Sequence, residues 1–437
     1  MTIDTAAPAE RAFLVALDTG ARGFDVDDSL DELATLVEAA GGRVVGRAEQ
    51  RRRAPDPSTY VGKGKATELV VEARRVAADL LVCDDELTPQ QQRDLEELAK
   101  MRVVDRSAVI LDIFAKHAQS KEGRIQVEVA QLEYVRPRLR GMWRHLERTG
   151  GGVGTRGPGE TQLESDRRVI ERRLADLRQR LHEVERQRER SRRSRSQDGL
   201  FLAALVGYTN AGKSTLLNAL SGADVLVADQ PFATLDPTTR RVELPNGTVI
   251  LLSDTVGFIN KLPPTLIAAF HATLEELSDA DLLVHVVDAP HPDLHERMTV
   301  VDATLADLGL SDRPRLVVLN KADALRGTQG SALREALSSE MPTAVWTSAT
   351  TGEGMGELRE RLAHAARAGW LVVRLRLPHS SGALVQRIRE RGSLRRADYT
   401  EAGIEIEAEV PASFAAELQR FSVGPTGRRA PEADRTG

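Results

Sequence analysis

The sequence predicts a multidomain α/β protein, and three observations lead there. At 437 residues the chain is longer than one hydrophobic core usually organises. Two separate stretches alternate short apolar runs with longer amphipathic ones, the rhythm of strands and crossover helices in a parallel sheet. Between them, apolar residues recur at three- and four-residue spacing without strand signals, as in paired long helices. The resulting division is an N-terminal α/β domain (residues 1–119) and an arginine-rich antiparallel helical hairpin (120–198). A second α/β domain with a mixed sheet and helices on both faces (199–369) follows, then a small α+β domain with a disordered tail (370–437).

The N-terminal rhythm runs from Ala12 to about Lys116. It reads AFLVAL, a helix from Ser29 to Ala40, RVVGRA, a helical run after Lys65, DLLVCD, a helix opened by Thr88 and Pro89, and RVVDR. The segment YVGKGK, Tyr60 to Lys65, places Gly62-Lys63-Gly64-Lys65 in a row and invites a phosphate-site reading. It lacks the Walker spacing and follows no strong strand, so a structural turn or RNA contact is preferred over a second nucleotide site.

The hairpin follows. Ile125, Val129, Leu132, Val135, Leu139, Met142 and Leu146 share one helical face, and Ile170, Leu174, Leu177, Leu181 and Val184 form a heptad seam. The glycine-rich segment from Thr149 to Gln162 joins them, which implies an antiparallel pair. From Arg136 to Arg195 there are eighteen arginines, no lysine and nine carboxylates, a net of +9, leaving −14 for the rest. A solvated helix face is the ordinary meaning of such a surface. A flexible tip bearing Arg156, with Arg167, Arg168, Arg172 and Arg173 behind it, instead suits insertion between RNA phosphates. The polar run ending at Gly199 reads as a solvated boundary, and the tail after Gly424 as disordered.

The second α/β domain carries the chemistry. Gly207-Tyr208-Thr209-Asn210-Ala211-Gly212-Lys213-Ser214 lies between a strand-like and a helix-like run. There, backbone N–H groups wrap phosphates, Lys213 neutralises their charge and the Ser214 hydroxyl binds Mg²⁺. Asp254-Thr255-Val256-Gly257 follows an apolar strand forty-one residues after Lys213, where the aspartate supports the magnesium shell and the Gly257 N–H meets the γ-phosphate. Between these motifs Phe232-Ala233-Thr234-Leu235-Asp236 offers Thr234 as the magnesium ligand that senses γ-phosphate, with Thr238 and Thr239 as rivals. Lys213, Thr234 and Gly257 are therefore the candidate catalytic residues. Asn320-Lys321-Ala322-Asp323 follows another strand. Its aspartate can accept from N1–H and the exocyclic amine of guanine, a pairing adenine cannot offer, which selects GTP. Ser348-Ala349-Thr350 fits the loop closing over the base oxygen.

With YVGKGK, the loop GGVGTRGPGETQLE at Gly151 to Glu164, FATLDPT and DTVGF, these motifs resemble the HflX family of ribosome-associated GTPases across nearly the whole chain. The resemblance implies a Ras-like P-loop GTPase domain, GTP hydrolysis, binding to the large ribosomal subunit and its rRNA, and splitting or rescue of stalled or stressed ribosomes. Ras-like enzymes place a water-orienting glutamine directly after DxxG; here Phe258 stands there, which implies slow chemistry in the free protein. Asn210 resembles the asparagine that coordinates K⁺ in cation-activated GTPases, and a loop-tightening role is the alternative. Rival readings are an ATP- or GTP-dependent RNA remodeller and a GTP-gated module for a non-ribosomal partner.

Composition excludes little else. No run approaches the ~18 apolar residues of a membrane span. Asp4 and Glu10 precede any basic residue, against a secretory signal. The single Cys83 sits in the apolar LLVC and reads as an inert core thiol in a reducing cytosol. No Cys/His spacing suggests zinc. The expected state is a cytoplasmic monomer, with weak membrane association left open.

Overall fold

The computed structural model describes residues 9–20, 23–139, 158–198, 200–222, 230–263, 266, 277–423 and 427–428. Its first sheet takes strands β1 (Arg11–Asp18), β2 (Arg43–Arg51), β3 (Leu80–Cys83) and β4 (Arg102–Asp105), all parallel, in the order β2-β1-β3-β4. Alternation along β1 feeds two cores. Ala12, Leu14 and Ala16 pack with helices α1 (Val26–Ala39) and α4 (Arg106–His117), whereas Phe13, Val15 and Leu17 pack with α2 (Lys63–Arg75) and α3 (Pro89–Ala99). Thr88 and Gln91 form a reciprocal capping box before Pro89, the reason α3 starts there. In YVGKGK, Tyr60 is buried at φ 62° and Gly62 precedes α2, so this segment is a tight turn into a helix. Cys83 is buried in the second core and its thiol is pushed well up by desolvation.

Helix α5 (Lys121–Val135) and the long α6 (Pro158–Asp198) pack through Ile125, Val129, Leu132, Ile170, Leu174, Leu177 and Leu181. Seven of the expected seam residues meet, but Val135, expected on the same face, is exposed, Leu139 and Val184 lie outside this cluster, and the helix ends differ. Helix α5 ends at Val135, short of Leu139, because Pro137 has no N–H to continue the ladder. Arg138 then turns back, its guanidinium 3.5 Å over the Tyr134 ring and 3.0 Å from Asp105. Met142, Leu146, Arg156 and the loop around them lie outside the described residues. Conversely, α6 begins at Pro158, inside the expected glycine loop, and continues through the run expected as a solvated boundary. Arg, Gln and Glu are good helix formers, and proline is favoured in a first turn.

The second sheet has the order β10-β9-β8-β5-β7-β6, from β5 (Phe201–Val206), β6 (Thr238–Leu244), β7 (Thr248–Asp254), β8 (Leu282–Asp288), β9 (Arg315–Asn320) and β10 (Val345–Trp346). Only β6 runs antiparallel among these. Helices α7 (Lys213–Ser221), α8 (Leu294–Asp307), α9 (Gly327–Glu340) and α10 (Met355–Arg367) cover both faces. One core runs without interruption from α1 and α4 into Tyr208, Phe232, Leu235, Val256, Phe258 and Ile259. The loops that follow β5 and β7 are thus packed against the N-terminal sheet's helices. Polar contacts fasten the same interface: Tyr208 Oη donates to Glu32 at 2.7 Å, Lys261 pairs with Asp84 and, at 2.7 Å, with Asp85, and buried Arg106 holds Asp84 at 2.7 Å and also pairs with Glu32.

The last sheet is antiparallel, β12-β13-β11-β14, built from β11 (Trp370–Leu377), β12 (Ser393–Thr400), β13 (Gly403–Pro411) and β14 (Gly427–Arg428), with α11 (Gly382–Arg391) and α12 (Ala412–Leu418) on it. Within the tail expected to be disordered from Gly424, whose other residues lie outside the described ones, Gly427 and Arg428 form β14 and pair with Val372 and Leu371. The open backbone edge of β11 recruits them without any apolar pattern in their own sequence.

Candidate functional site

The site forms where β5 ends and α7 begins. Gly207 has φ 150°, and a Cβ there would run into the Val286 carbonyl; Gly212, at φ 91°, lies against the Asn320 side chain. Only glycine lets the loop curl this tightly. Asn210 also takes the left-handed region, at φ 59°. The loop is stitched to the segment after β7 by Thr209 N–H to the Phe258 carbonyl (2.8 Å) and Phe258 N–H to the Gly207 carbonyl (3.1 Å).

Lys213 opens α7 and is buried. Its Nζ donates to the carbonyls of Gly207 (3.1 Å) and Tyr208 (2.8 Å), and desolvation lowers its pKa to about 8 against the opposing pull of Asp254. An ammonium so placed is short of countercharge, which a phosphate supplies. Ser214 Oγ lies 2.8 Å from Thr234 Oγ1 and donates to Asp254 Oδ2 at 2.6 Å. Asp254 Oδ1 is buried without a hydrogen-bond partner, and burial raises the carboxyl's pKa although Lys213 opposes it. Two hydroxyls and an orphaned carboxylate oxygen in one place are a donor set that fits a hard divalent cation such as Mg²⁺. Gly257 comes so close that a Cβ would stand 3.0 Å from Lys213 Nζ.

At the other end, Asn320 braces the loop by donating from Nδ2 to the Ala211 carbonyl (2.9 Å), while its Oδ1 accepts from Thr347 Oγ1 and Ala349 N–H, both at 3.2 Å. Ser348 Oγ donates to Asp323 Oδ1 at 2.6 Å and so fixes that carboxylate at the cavity edge. Lys321, at φ 62°, pairs with Asp288 at 2.8 Å. The cavity holds about 450 Å³, the size of small-molecule pockets.

Of the candidate residues, Thr209, Asn210, Gly212, Lys213, Ser214, Phe232, Ala233, Thr234, Thr255, Gly257, Asn320, Lys321, Asp323, Ala349 and Thr350 line this cavity. Ala211, Leu235, Val256 and Ala322 are core residues behind it, and Ser348 acts through Asp323. The Tyr208 side chain turns to Glu32, with the Arg297 guanidinium 4.7 Å over its ring. Asp236 also points away: its carboxylate accepts from the N–H groups of Gln119 (2.9 Å) and Ser120 (2.7 Å) and from Ser120 Oγ. Thr238 and Thr239, the rivals of Thr234, begin β6 and do not line the cavity. Thr215, Gln230 and Ala324 line it as well without having been singled out. Thr215 and Ala324 each directly follow a motif residue, a signal that was there; nothing marks Gln230 in the sequence.

Residues 27–115 match the family model described as GTP-binding GTPase N-terminal, 117–195 the GTP-binding GTPase Middle Region, and 202–321 the 50S ribosome-binding GTPase. A GTPase HflX of Caldanaerobacter subterraneus is 43% identical over 95% of this chain and 94% of its own. This chain belongs to the HflX family. As an HflX GTPase it hydrolyses GTP to GDP and phosphate. The GTPase HflX of Escherichia coli K12 is 42% identical over 89% of this chain and 90% of its own. A crystal structure of a GTP-binding protein from Sulfolobus solfataricus in complex with GDP covers 82% of this HflX chain and 98% of its own, at 25% identity and a TM-score of 0.42.

Proposed function

We propose that this HflX GTPase is a GTP-driven switch on the large ribosomal subunit that splits or rescues stalled or stressed ribosomes. The match of residues 202–321 to the 50S ribosome-binding GTPase family carries the reading, on a chain whose segment from Arg136 to Arg195 has a net charge of +9. In this reading the hairpin meets rRNA phosphates through Arg156, Arg167, Arg168, Arg172 and Arg173. The loop from Gly207 to Ser214 cradles the phosphates, Lys213 neutralises them, and Asp323 reads guanine while Ala349 and Thr350 border the base. Ser214 and Thr234 hold Mg²⁺, with Asp254 behind them. The metal, when bound, offsets phosphate charge as it builds on the β–γ bridge. Thr234 and Gly257 release their segments when γ-phosphate leaves.

Ion pairs within the hairpin support a second reading, in which the arginines only solvate and the partner is not RNA. Arg173 grips Glu128 at 2.7 and 3.0 Å, Arg178 meets Glu133 at 2.6 Å, and Arg180 meets Asp176 at 3.0 Å. Cosedimentation with large subunits, using GDP and a non-hydrolysable GTP analogue across a salt series, separates the two. RNA contact requires binding that favours the analogue and falls steeply with salt, whereas salt-independent binding favours the rival.

A further inference from the structure

The carboxylate of Asp236 has a use that nucleotide binding does not supply. It stands two residues beyond Thr234 and leads into β6. Oδ2 accepts from the consecutive N–H groups of Gln119 and Ser120, at 2.9 and 2.7 Å, while Oδ1 takes the Ser120 hydroxyl proton. Ser120 is the N-cap of α5, its Oγ accepting from the Gly123 N–H at 2.8 Å. Gly123 itself leaves room: a Cβ there would collide with Asp236 Oδ1. A carboxylate at a helix N-terminus is also favoured by the exposed N–H groups and the macrodipole. The segment from Phe232 to Asp236 therefore has two attachments. Thr234 faces the Ser214 and Asp254 oxygens, and Asp236 holds the first turn of the hairpin's first arm. Phe232, its ring edge-on to Phe114 at 4.6 Å, ties the same segment to α4.

We propose that Asp236 is a positioning residue that relays the nucleotide state from Thr234 to helix α5, and so to the arginine-bearing hairpin. The segment is only five residues long, so Thr234 cannot move far without displacing Asp236 from the cap. Losing it strips acceptors from two backbone N–H groups and a hydroxyl at once. The hairpin's base is then looser in one nucleotide state than in the other. The proposal rests on the reading of Thr234 as the sensor of γ-phosphate.

Amide hydrogen exchange on the full-length protein, with GDP and with a non-hydrolysable GTP analogue, tests it. In wild type, amides of residues 119–124 and of residues 232–236 should both exchange at nucleotide-dependent rates. In Asp236→Ala the α5 amides should exchange on the order of tenfold faster with either nucleotide, as loss of a helix cap implies, and their nucleotide dependence should vanish. Asp236→Asn, which keeps the shape and one acceptor, should fall between, and Ser120→Ala should lose most of the dependence with nucleotide affinity unchanged. Nucleotide-dependent exchange at 232–236 with none at α5, or dependence at α5 that survives Asp236→Ala, overturns the relay alone. Absence of dependence at 232–236 overturns the Thr234 reading and the relay with it.

Discussion

Asp323 accepts from the Ser348 hydroxyl on one oxygen and lines the cavity, where the proposed reading has it pair with guanine. Replacing it by asparagine exchanges one acceptor for a donor. Asp323→Asn should therefore shift preference from GTP toward xanthosine triphosphate, whose base presents a carbonyl at that edge, and competitive binding measures the change. An unaltered GTP preference would refute the assignment. His285 in β8 gives a second prediction, of stability. It is buried, and desolvation, with Arg315 adding to it, lowers its pKa from 6.5 to about 4. On acidification the unfolded chain therefore takes up its proton first. The stability tied to this residue is complete above pH 6.5, declines down to about pH 4 and is constant below. His285→Leu should reduce the loss of stability between pH 7.5 and 5 by about 2 kcal/mol, read from urea unfolding at both pH values. Equal losses in both proteins would show that His285 is not the group responsible.

Among the elements, the hairpin was legible in its seam and not in its ends. Spacing alone identifies Leu174 and Leu177 as core, and both are buried against Ile125 and Val129. Where a helix stops depends on local events that periodicity ignores, here Pro137 and the capture of Arg138 by Tyr134 and Asp105. The pairing also divides the arginines. Arg173 fastens one arm to the other through Glu128, and Arg167 pairs within its own helix with Glu171 at 3.0 Å in an exposed contact of little energetic weight. Charge reversal at Arg167, Arg168 and Arg172, with Arg173 left in place, should weaken large-subunit binding and flatten its salt dependence while GTP affinity stays unchanged. Loss of GTP affinity as well would point to misfolding, and unchanged subunit affinity at every salt concentration would exclude electrostatic contact by these residues.

For the molecule as a whole, the consequence lies in what the nucleotide loops are packed into. Phe258, where a water-orienting glutamine stands in Ras-like enzymes, is buried in the core shared with α1 and α4 and does not line the cavity. The free protein should turn GTP over slowly, and completion should come from the large subunit or from a cation near Asn210. Turnover measured in KCl and in NaCl at equal ionic strength, with and without subunits, checks this for wild type and Asn210→Ala. Potassium should accelerate only the wild type, and subunits should accelerate both. Fast turnover of free protein in NaCl would disprove an incomplete site.

By itself the sequence determined the chemistry and the alternation of elements, because phosphate loops and apolar periodicity are local. Gly207 and Gly212 are needed for their own backbone angles, and Ala12 and Phe13 face opposite cores because a strand alternates. Tertiary structure alone decided the roles of Asp236 and Tyr208. Both stand inside nucleotide motifs, yet their side chains bond to Ser120 and Glu32, 116 and 176 residues away in the chain. No periodicity encodes such partners. A polar side chain takes the donor or acceptor that packing brings to it, and packing here sets the N-terminal helices against the loops that border the cavity.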